Sequence, residues 1–305
     1  MKKILSLILS ALLVLGISSA WAEDEHVFTL AAPSGAPALA VATLALENPD
    51  AFRFVAADTI AAEFASAQAD FIIAPLNAGA KLFKAGKSAY QMAAVVTWGN
   101  LFFASQKPGF QLTDINGAKL TLFGENTINA SVALYALKAN GIEPAQVEYL
   151  AGAANTQALL LSDSSAIVMT AEPALTAAMI KNEQVTGFSV NGLYEQATGF
   201  QGFAQAALFV RPDTAQAHPE AVKAFLAQVE ASASLATDDV SKVAAAAVAL
   251  EILPNLKVAS RAIPQCAIRY VAAADAKEQV ERTAQIDLAQ FGGAVPEDAF
   301  YFTAE

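Results

Sequence analysis

The sequence is poor in the residue types that build most catalytic and metal sites. It has one cysteine, Cys266, and two histidines, His26 and His218, among 305 residues. A single cysteine excludes an internal disulfide bond, so packing must hold the fold, and Cys266 is expected to be a small buried hydrophobic residue. No group of His, Cys, Asp and Glu has the spacing of metal ligands. We therefore predict no metal, no cofactor and no catalytic residue.

Positive charge is also scarce. Lys and Arg number 18 against 29 Asp and Glu, which gives a net charge of −11. An acidic chain argues against binding to nucleic acid and to anionic membrane surfaces. With 55% hydrophobic and 15% charged residues, the chain can bury a large core, and its length favours two lobes over one.

The one long hydrophobic run lies at the N-terminus. A basic start, Met1–Lys3, precedes the apolar stretch Ile4–Ile17 and a small-x-small pattern that ends at Ala22, before the acidic Glu23. This order predicts a signal peptide, residues 1–22, cleaved after Ala22. The alternative is an uncleaved membrane anchor, for which the apolar core is short. No cysteine stands at the cleavage point, so we expect a periplasmic protein rather than a lipoprotein.

The most informative stretch inside the chain runs from Ala69 to Ala80. A fully apolar run, Phe71–Ala74, ends at Pro75, and a helical pattern begins directly afterwards. The run predicts a buried parallel strand that leads into a helix, with Pro75 near the helix start. Asn77 would then lie where the strand ends and the helix begins, which is where open α/β sheets bind ligands.

The same order of elements occurs twice along the chain: strand, loop, helix, strand, helix, strand, proline, helix. Strands are predicted at 26–32, 52–56, 71–74, 91–96, 101–104, 119–123, 147–150, 165–171, 203–211 and within 263–271. Helices are predicted at 38–46, 59–67, 76–85, 128–138, around 157–161, after 173, from 218, at 239–250 and at 274–291. Leu30, Phe54 and Pro75 correspond to Leu122, Tyr149 and Pro173 at steady offsets. We favour two similar lobes, each a small α/β sheet; one larger doubly wound sheet is the alternative.

Six stretches in this order resemble the periplasmic solute-binding proteins of ABC transporters. They are residues 32–37, 69–80, 96–99, 171–173, 205–210 and 263–271. The likeness is nearest to the NMT1/THI5-like group of thiamine-precursor, sulfonate and nitrate binders. It implies the type II periplasmic-binding-protein fold, in which two Rossmann-like lobes are joined by two crossing segments.

The resemblance places lobe one at 23–104 plus 206–305 and lobe two at 105–205, with crossings near 101–106 and 202–208. It implies a monomeric receptor that captures a small organic molecule between the lobes. The receptor would deliver this molecule to a permease and ATPase complex.

Candidate ligand contacts in the first lobe follow the predicted strands. Ser34 and Gly35 follow the first strand, where backbone N–H groups can approach a ligand, although an ordinary cap and turn would look the same. The Asn77 amide can donate and accept, either to a ligand or to its own backbone. Trp98, at a strand end beside Gly99, could stack on a flat ligand or a cation, or belong to the core.

In the second lobe, Asn126, Thr127 and Asn129 occupy the loop that matches Ser34 and Gly35. Glu172 precedes Pro173 and would suit a cationic ligand, or would simply favour the N-terminus of the following helix. Gln201 precedes the return crossing and could complete the cleft.

The ligand class follows from the arginines that could bind an anion. Arg261 and Arg269 are the candidates, but neither lies in a strand-end loop of the repeat. A flat, neutral or cationic solute is therefore favoured over a strongly anionic one.

Two other functions remain open: an enzyme on the same fold, of the pyrimidine or menaquinone-precursor type, and a ligand sensor for a membrane partner. His26 lies at the mature N-terminus, His218 precedes Pro219, and Cys266 has no catalytic partner nearby in sequence. We therefore expect a binding protein and not an enzyme.

Overall fold

The computed structural model describes residues 26–57 and 59–303. The predicted signal peptide, residues 1–22, lies outside these residues. Eleven strands occur in the described chain: β1 (Leu30–Pro33), β2 (Phe52–Val55), β3 (Phe71–Pro75), β4 (Gln91–Thr97), β5 (Leu101–Ser105), β6 (Lys119–Phe123), β7 (Gln146–Leu150), β8 (Ile167–Ala171), β9 (Thr186–Ser189), β10 (Ala206–Val210) and β11 (Ile268–Ala272).

Twelve α-helices accompany the strands over the same described residues. They are α1 (Ala42–Glu47), α2 (Ile60–Ser66), α3 (Leu76–Lys84), α4 (Ile128–Ala139), α5 (Ala153–Ser162), α6 (Ala174–Lys181), α7 (Val190–Thr198), α8 (Pro212–Ala217), α9 (Pro219–Asp238), α10 (Val240–Ala249), α11 (Leu256–Ala262) and α12 (Ala273–Ile286). None of these helices combines the length and apolar character that crossing a membrane requires.

The strands form two separate sheets. The first has the order β11-β4-β10-β3-β1-β2, and the second has the order β7-β6-β8-β5-β9. β1, β2 and β3 run parallel, as do β6, β7 and β8. β10 is antiparallel to both of its neighbours, and β5 is antiparallel to β8 and β9. Each sheet is therefore mixed, with helices in the connections between its parallel strands.

Pairing brings the carboxyl ends of β3, β4 and β8 to one edge of their sheets. Pro75 and Thr97, at the ends of β3 and β4, both pair with Ala206 at the start of β10. In the second sheet, Ala171 at the end of β8 pairs with Leu101 at the start of β5. Only residues 98–100 separate Thr97 from Leu101, so these two edges lie next to each other.

The core runs continuously beneath this junction. One cluster of buried side chains contains Ile72 of β3, Trp98 of the crossing and Leu120 of β6. A second cluster packs α9 and α10 on the other face of the first sheet. β3 is buried on both faces, which explains why its sequence reads as an uninterrupted apolar run.

Several elements differ from the sequence-based expectations. The first strand begins at Leu30 rather than His26, and β9, α7, α8 and α11 were not anticipated. We expected residues 101–104 in the first lobe, but β5 pairs with β8 and β9 in the second sheet. The change of sheet therefore occurs at residues 98–100, because backbone hydrogen bonding and not local hydrophobicity assigns a strand to its sheet.

Candidate functional site

The crossing at residues 98–100 and the return segment at residues 199–205 are packed backbone against backbone. Gly202 has φ +89°, and a Cβ there would lie 2.2 Å from the carbonyl oxygen of Trp98. Gly99 has φ +87°, and its Cβ would lie 2.5 Å from the ring of Phe203. Glycine is required at both positions, because a side chain would meet fixed atoms as well as an unfavourable φ.

Asn191, in the first turn of α7, secures the crossing. Its Nδ2 donates to the carbonyl oxygens of Trp98 (2.9 Å) and Gly99 (2.8 Å). These bonds satisfy two backbone acceptors that neither sheet pairs, and they tie the crossing to α7.

Three amide side chains meet directly beside the crossing, and we refer to Asn100, Asn129 and Gln205 as the amide cluster. Gln205 Nε2 donates to Asn100 Oδ1 (3.0 Å) and to Asn129 Oδ1 (3.1 Å). Asn100 Nδ2 in turn donates to the carbonyl oxygen of Glu172 (2.9 Å). The cluster thus links the crossing, the start of α4 and the end of β8.

The backbone of Gln205 is held on the first sheet. Its N–H donates to the carbonyl oxygen of Thr97 (3.0 Å), and its own carbonyl oxygen accepts from the N–H of Leu76 (2.9 Å). Asn77 is the next residue along α3 and is half-buried. Within the described residues, Gln205 Oε1 and Asn129 Nδ2 have no hydrogen-bond partner, so one acceptor and one donor remain available.

Glu172 directs its carboxylate into the protein. The side chain is buried, and it accepts hydrogen bonds from the N–H of Thr176 (3.1 Å) and from its hydroxyl (2.9 Å). Burial raises the pKa of Glu172 by more than these bonds and the charge of Arg261 lower it. The side chain of Glu172 is thus engaged by the first turn of α6, the place that the alternative interpretation gave it, but its burial disfavours the charged form.

Trp98 has a cation partner from within the protein. It is 2% exposed, and its Nε1 donates to the carbonyl oxygen of Arg269 (2.9 Å). The guanidinium carbon of Arg269 lies 4.6 Å from the centre of the indole ring. Burial lowers the pKa of Arg269. This stacking holds the end of β4 against the start of β11.

The remaining predicted contacts lie at the same two edges but outside the hydrogen bonds of the amide cluster. Ser34 is exposed, and its N–H donates to the carbonyl oxygen of Val55 (2.9 Å). The next residue, Gly35, has φ +111°. Thr127 caps α4 and donates to the carbonyl oxygen of Gly124 (2.6 Å). Asn126, with φ +57°, and Gln201 are exposed. Whether any of them contacts a ligand stays a prediction.

Sequence reasoning missed Asn100 and Gln205. Both carried a usable signal, since each is a polar residue placed at the start of a fully buried strand. Of the predicted residues, only Asn129 is hydrogen-bonded to them through its side chain.

Other site types find little support in the described part of the chain. No group of three or more His, Cys, Asp and Glu could hold a metal ion among residues 26–57 and 59–303. Two cavities, of about 270 Å³ beside Arg53 and about 320 Å³ beside Tyr270, are lined by no residue of the amide cluster.

Comparison with known proteins assigns the family. The model of the family described as "NMT1/THI5 like" matches residues 56–241, which is more than half of the chain. The chain belongs to the NMT1/THI5-like family. This confirms the family predicted from the six stretches. In a search by sequence, no curated protein matches.

Solved structures confirm the fold of this NMT1/THI5-like chain. An ABC transporter protein from Parabacteroides distasonis superposes with a TM-score of 0.78 at 21% identity, over 92% of this chain and 100% of that one. The periplasmic aliphatic sulphonate-binding protein SsuA of Escherichia coli gives 0.70 at 14% identity, over 91% and 92%. SsuA from Xanthomonas axonopodis pv. citri, bound to MOPS, gives 0.63 at 14% identity, over 89% and 96%. The predicted type II periplasmic-binding-protein fold is therefore correct.

Proposed function

We propose that this protein is a periplasmic solute-binding receptor that captures a small organic molecule between its two sheets. The receptor hands the molecule to the permease and ATPase of an ABC transporter. The observation that carries the proposal is the amide cluster, where strand ends of both sheets meet across residues 98–100. Carboxyl ends of strands in open α/β sheets are where such folds bind ligands. The family and the binding proteins among the structural neighbours support the same function.

The chemistry of the cluster favours a flat, neutral or cationic solute over a strongly anionic one. The three side chains of the cluster are uncharged amides, while Glu172 is hydrogen-bonded to Thr176 and Arg269 lies over the ring of Trp98. The cluster itself therefore offers no cation to an anion, whereas a solute with N–H or C=O groups would find matching partners. Sulfonates, which three of the structural neighbours are described as binding, are the competing class.

The proposed contacts are the predicted residues together with the two that sequence reasoning missed. The amide cluster carries most weight because its three side chains converge on one place, and Asn77 follows Leu76, whose N–H bonds to Gln205. The flanking contacts are Ser34, Gly35, Asn126, Thr127 and Gln201. Trp98, stacked on Arg269, and Glu172, hydrogen-bonded to Thr176, are the last two proposed contacts.

The proposed mechanism is hinge closure about two segments, residues 98–100 and 199–205. Lobe one would comprise the first sheet with its helices, and lobe two the second sheet with residues 101–198. An open form admits the solute, and the closed form docks on the permease. The solute stabilises the closed form in proportion to its greater affinity for that form.

A thermal-shift screen of residues 23–305 tests the proposal. The panel comprises vitamins, pyrimidines, neutral amides, amines, amino acids and sulfonates, and hits are measured by calorimetry. We expect Asn77→Ala to weaken binding of a hit about 10-fold, as loss of about 1.4 kcal/mol predicts. Asn48→Ala is the matched control, because Asn48 is exposed at the end of α1 and its side chain caps nothing. No hit from any class, with a co-purified ligand excluded by native mass spectrometry, would contradict the receptor function.

A further inference from the structure

Two side-chain hydrogen bonds join the start of α4, which belongs to the second sheet, to elements of the first sheet. One is the bond from Gln205 Nε2 to Asn129 Oδ1 in the amide cluster. In the other, Ser131 Oγ donates to Asp287 Oδ2 at 2.6 Å. Asn129 and Ser131 lie in the first turn of α4, so both bonds act on the same end of one helix.

The partners on the first sheet are both held firmly. Gln205 is fixed by its two backbone bonds to Thr97 and Leu76, and the next N–H, of Ala206, donates to Thr97 Oγ1 (3.0 Å). Asp287 directly follows α12, which packs against β4 and β11. Movement of α4 away from the first sheet would therefore stretch and break both bonds, since the backbone at each partner is anchored to the first sheet.

The two bonds also differ in kind, and this makes them separable by experiment. The hydrogen bonds of Gln205 join neutral amide groups, whereas the hydroxyl of Ser131 donates to a carboxylate. Hydrogen bonds to an ionised acceptor are shorter and stronger. Gln205 Nε2 uses both of its hydrogens on Asn100 and Asn129. It therefore occupies two carbonyl acceptors that an entering molecule would otherwise use.

We propose that Gln205 and Asp287 form an internal latch that holds α4 against the first sheet when no solute is bound. The protein then rests in a closed form, with the Gln205 amide in the place of a ligand. One consequence rests on the proposed function: the latch lowers the apparent affinity for the solute, because only the open fraction of the molecules can bind it.

The latch is tested without any solute, by measuring a distance between a helix of the first lobe and a residue of the second lobe. Spin labels on Lys223→Cys in α9 and Glu183→Cys after α6 report this distance by double electron–electron resonance. Both positions are exposed, and Cys266 is buried and stays unlabelled. We expect one short distance in the unmodified background.

Removing each bond should add a population at longer distance. Loss of an ordinary hydrogen bond changes the closed-to-open ratio about 2- to 10-fold, and loss of a bond to a charged acceptor changes it more. Ser131→Ala should therefore open the protein more than Gln205→Ala, and the double variant should open it most. Ser234→Ala is the matched control, because Ser234 is exposed and donates only within its own helix, to Glu230.

Two results would overturn the latch: a ligand-free background that is already open, or a folded double variant whose distances match the background. Should Gln205→Ala fail to give a cooperative thermal transition, Gln205→Glu replaces it, since a carboxylate keeps the size but cannot donate to two carbonyl oxygens. Opening of the variants with no hit in the solute screen would support the latch and reject the proposed function, so the two proposals fail separately.

Discussion

Replacing Gly202 with alanine tests whether the crossing and the return segment are in close backbone contact. The new Cβ would stand 2.2 Å from the carbonyl oxygen of Trp98, at a residue with φ +89°. A carbon normally approaches such an oxygen no closer than about 3.3 Å, so the two segments must separate by about 1 Å. The left-handed φ costs about 1–2 kcal/mol. Overpacking of fixed groups adds about 1–3 kcal/mol.

Gly199→Ala supplies the matched control for this prediction. Gly199 lies in the same segment with φ +80°, but no heavy atom lies within 4 Å of the point that a Cβ would occupy there. Gly199→Ala should therefore lose only the free energy that the left-handed φ costs an alanine, about 1–2 kcal/mol. Gly202→Ala should lose about 2 kcal/mol more, which lowers the unfolding midpoint by about a further 4–8 °C. Circular dichroism melts of both variants measure the difference, and equal losses would refute the close contact between the two segments.

Two further predictions concern pH. Burial alone would raise the pKa of Asp70, but hydrogen bonds from Thr29 and Thr214 and the charge of Arg211 lower it below its ordinary value. The ionised Asp70 therefore stabilises the fold above the ordinary aspartate pKa, and this stabilisation is lost as pH falls through the folded pKa. Asp70→Asn should lower the free energy of unfolding by about 1–3 kcal/mol at pH 7 and by progressively less in acid. Urea unfolding at each pH measures this loss. Glu172 is the opposite case, because burial raises its pKa and the fold disfavours the charged form above the raised value. Glu172→Gln should raise the unfolding midpoint at pH 7, and this gain should vanish below the ordinary glutamate pKa; a lower midpoint at pH 7 would contradict the argument.

Much of the fold follows from local sequence, as β3 and β6 illustrate. Their apolar runs predicted strands at 71–74 and 119–123, and the structure has Phe71–Pro75 and Lys119–Phe123. The elements that were missed have weak local patterns. β9 has four residues, includes Gly187 and is not fully buried, so neither alternation nor a buried run marks it.

The assignment of β5 shows what local patterns cannot supply. Its five residues are all buried, and such a run fits either sheet equally well. Only its hydrogen bonds to β8 and β9 decide, and these join residues more than 60 positions apart in the case of β8. The same reason explains the partly predicted site. Asn129 could be proposed from its place after a strand, whereas Asn100 and Gln205 become significant only when residues distant in sequence meet.

The pairing of Thr97 with Ala206 has a consequence for how this chain can be rebuilt. The chain leaves the first sheet after one of these residues and returns at the other, and the two are neighbours across β4 and β10. Everything between them, including the whole second sheet, is one uninterrupted insertion whose ends lie about 5 Å apart. Residues 98–205 can thus be exchanged as one continuous segment. A relative's segment of the same kind could be spliced between the same two strands, which would give a hybrid chain with one sheet from each parent.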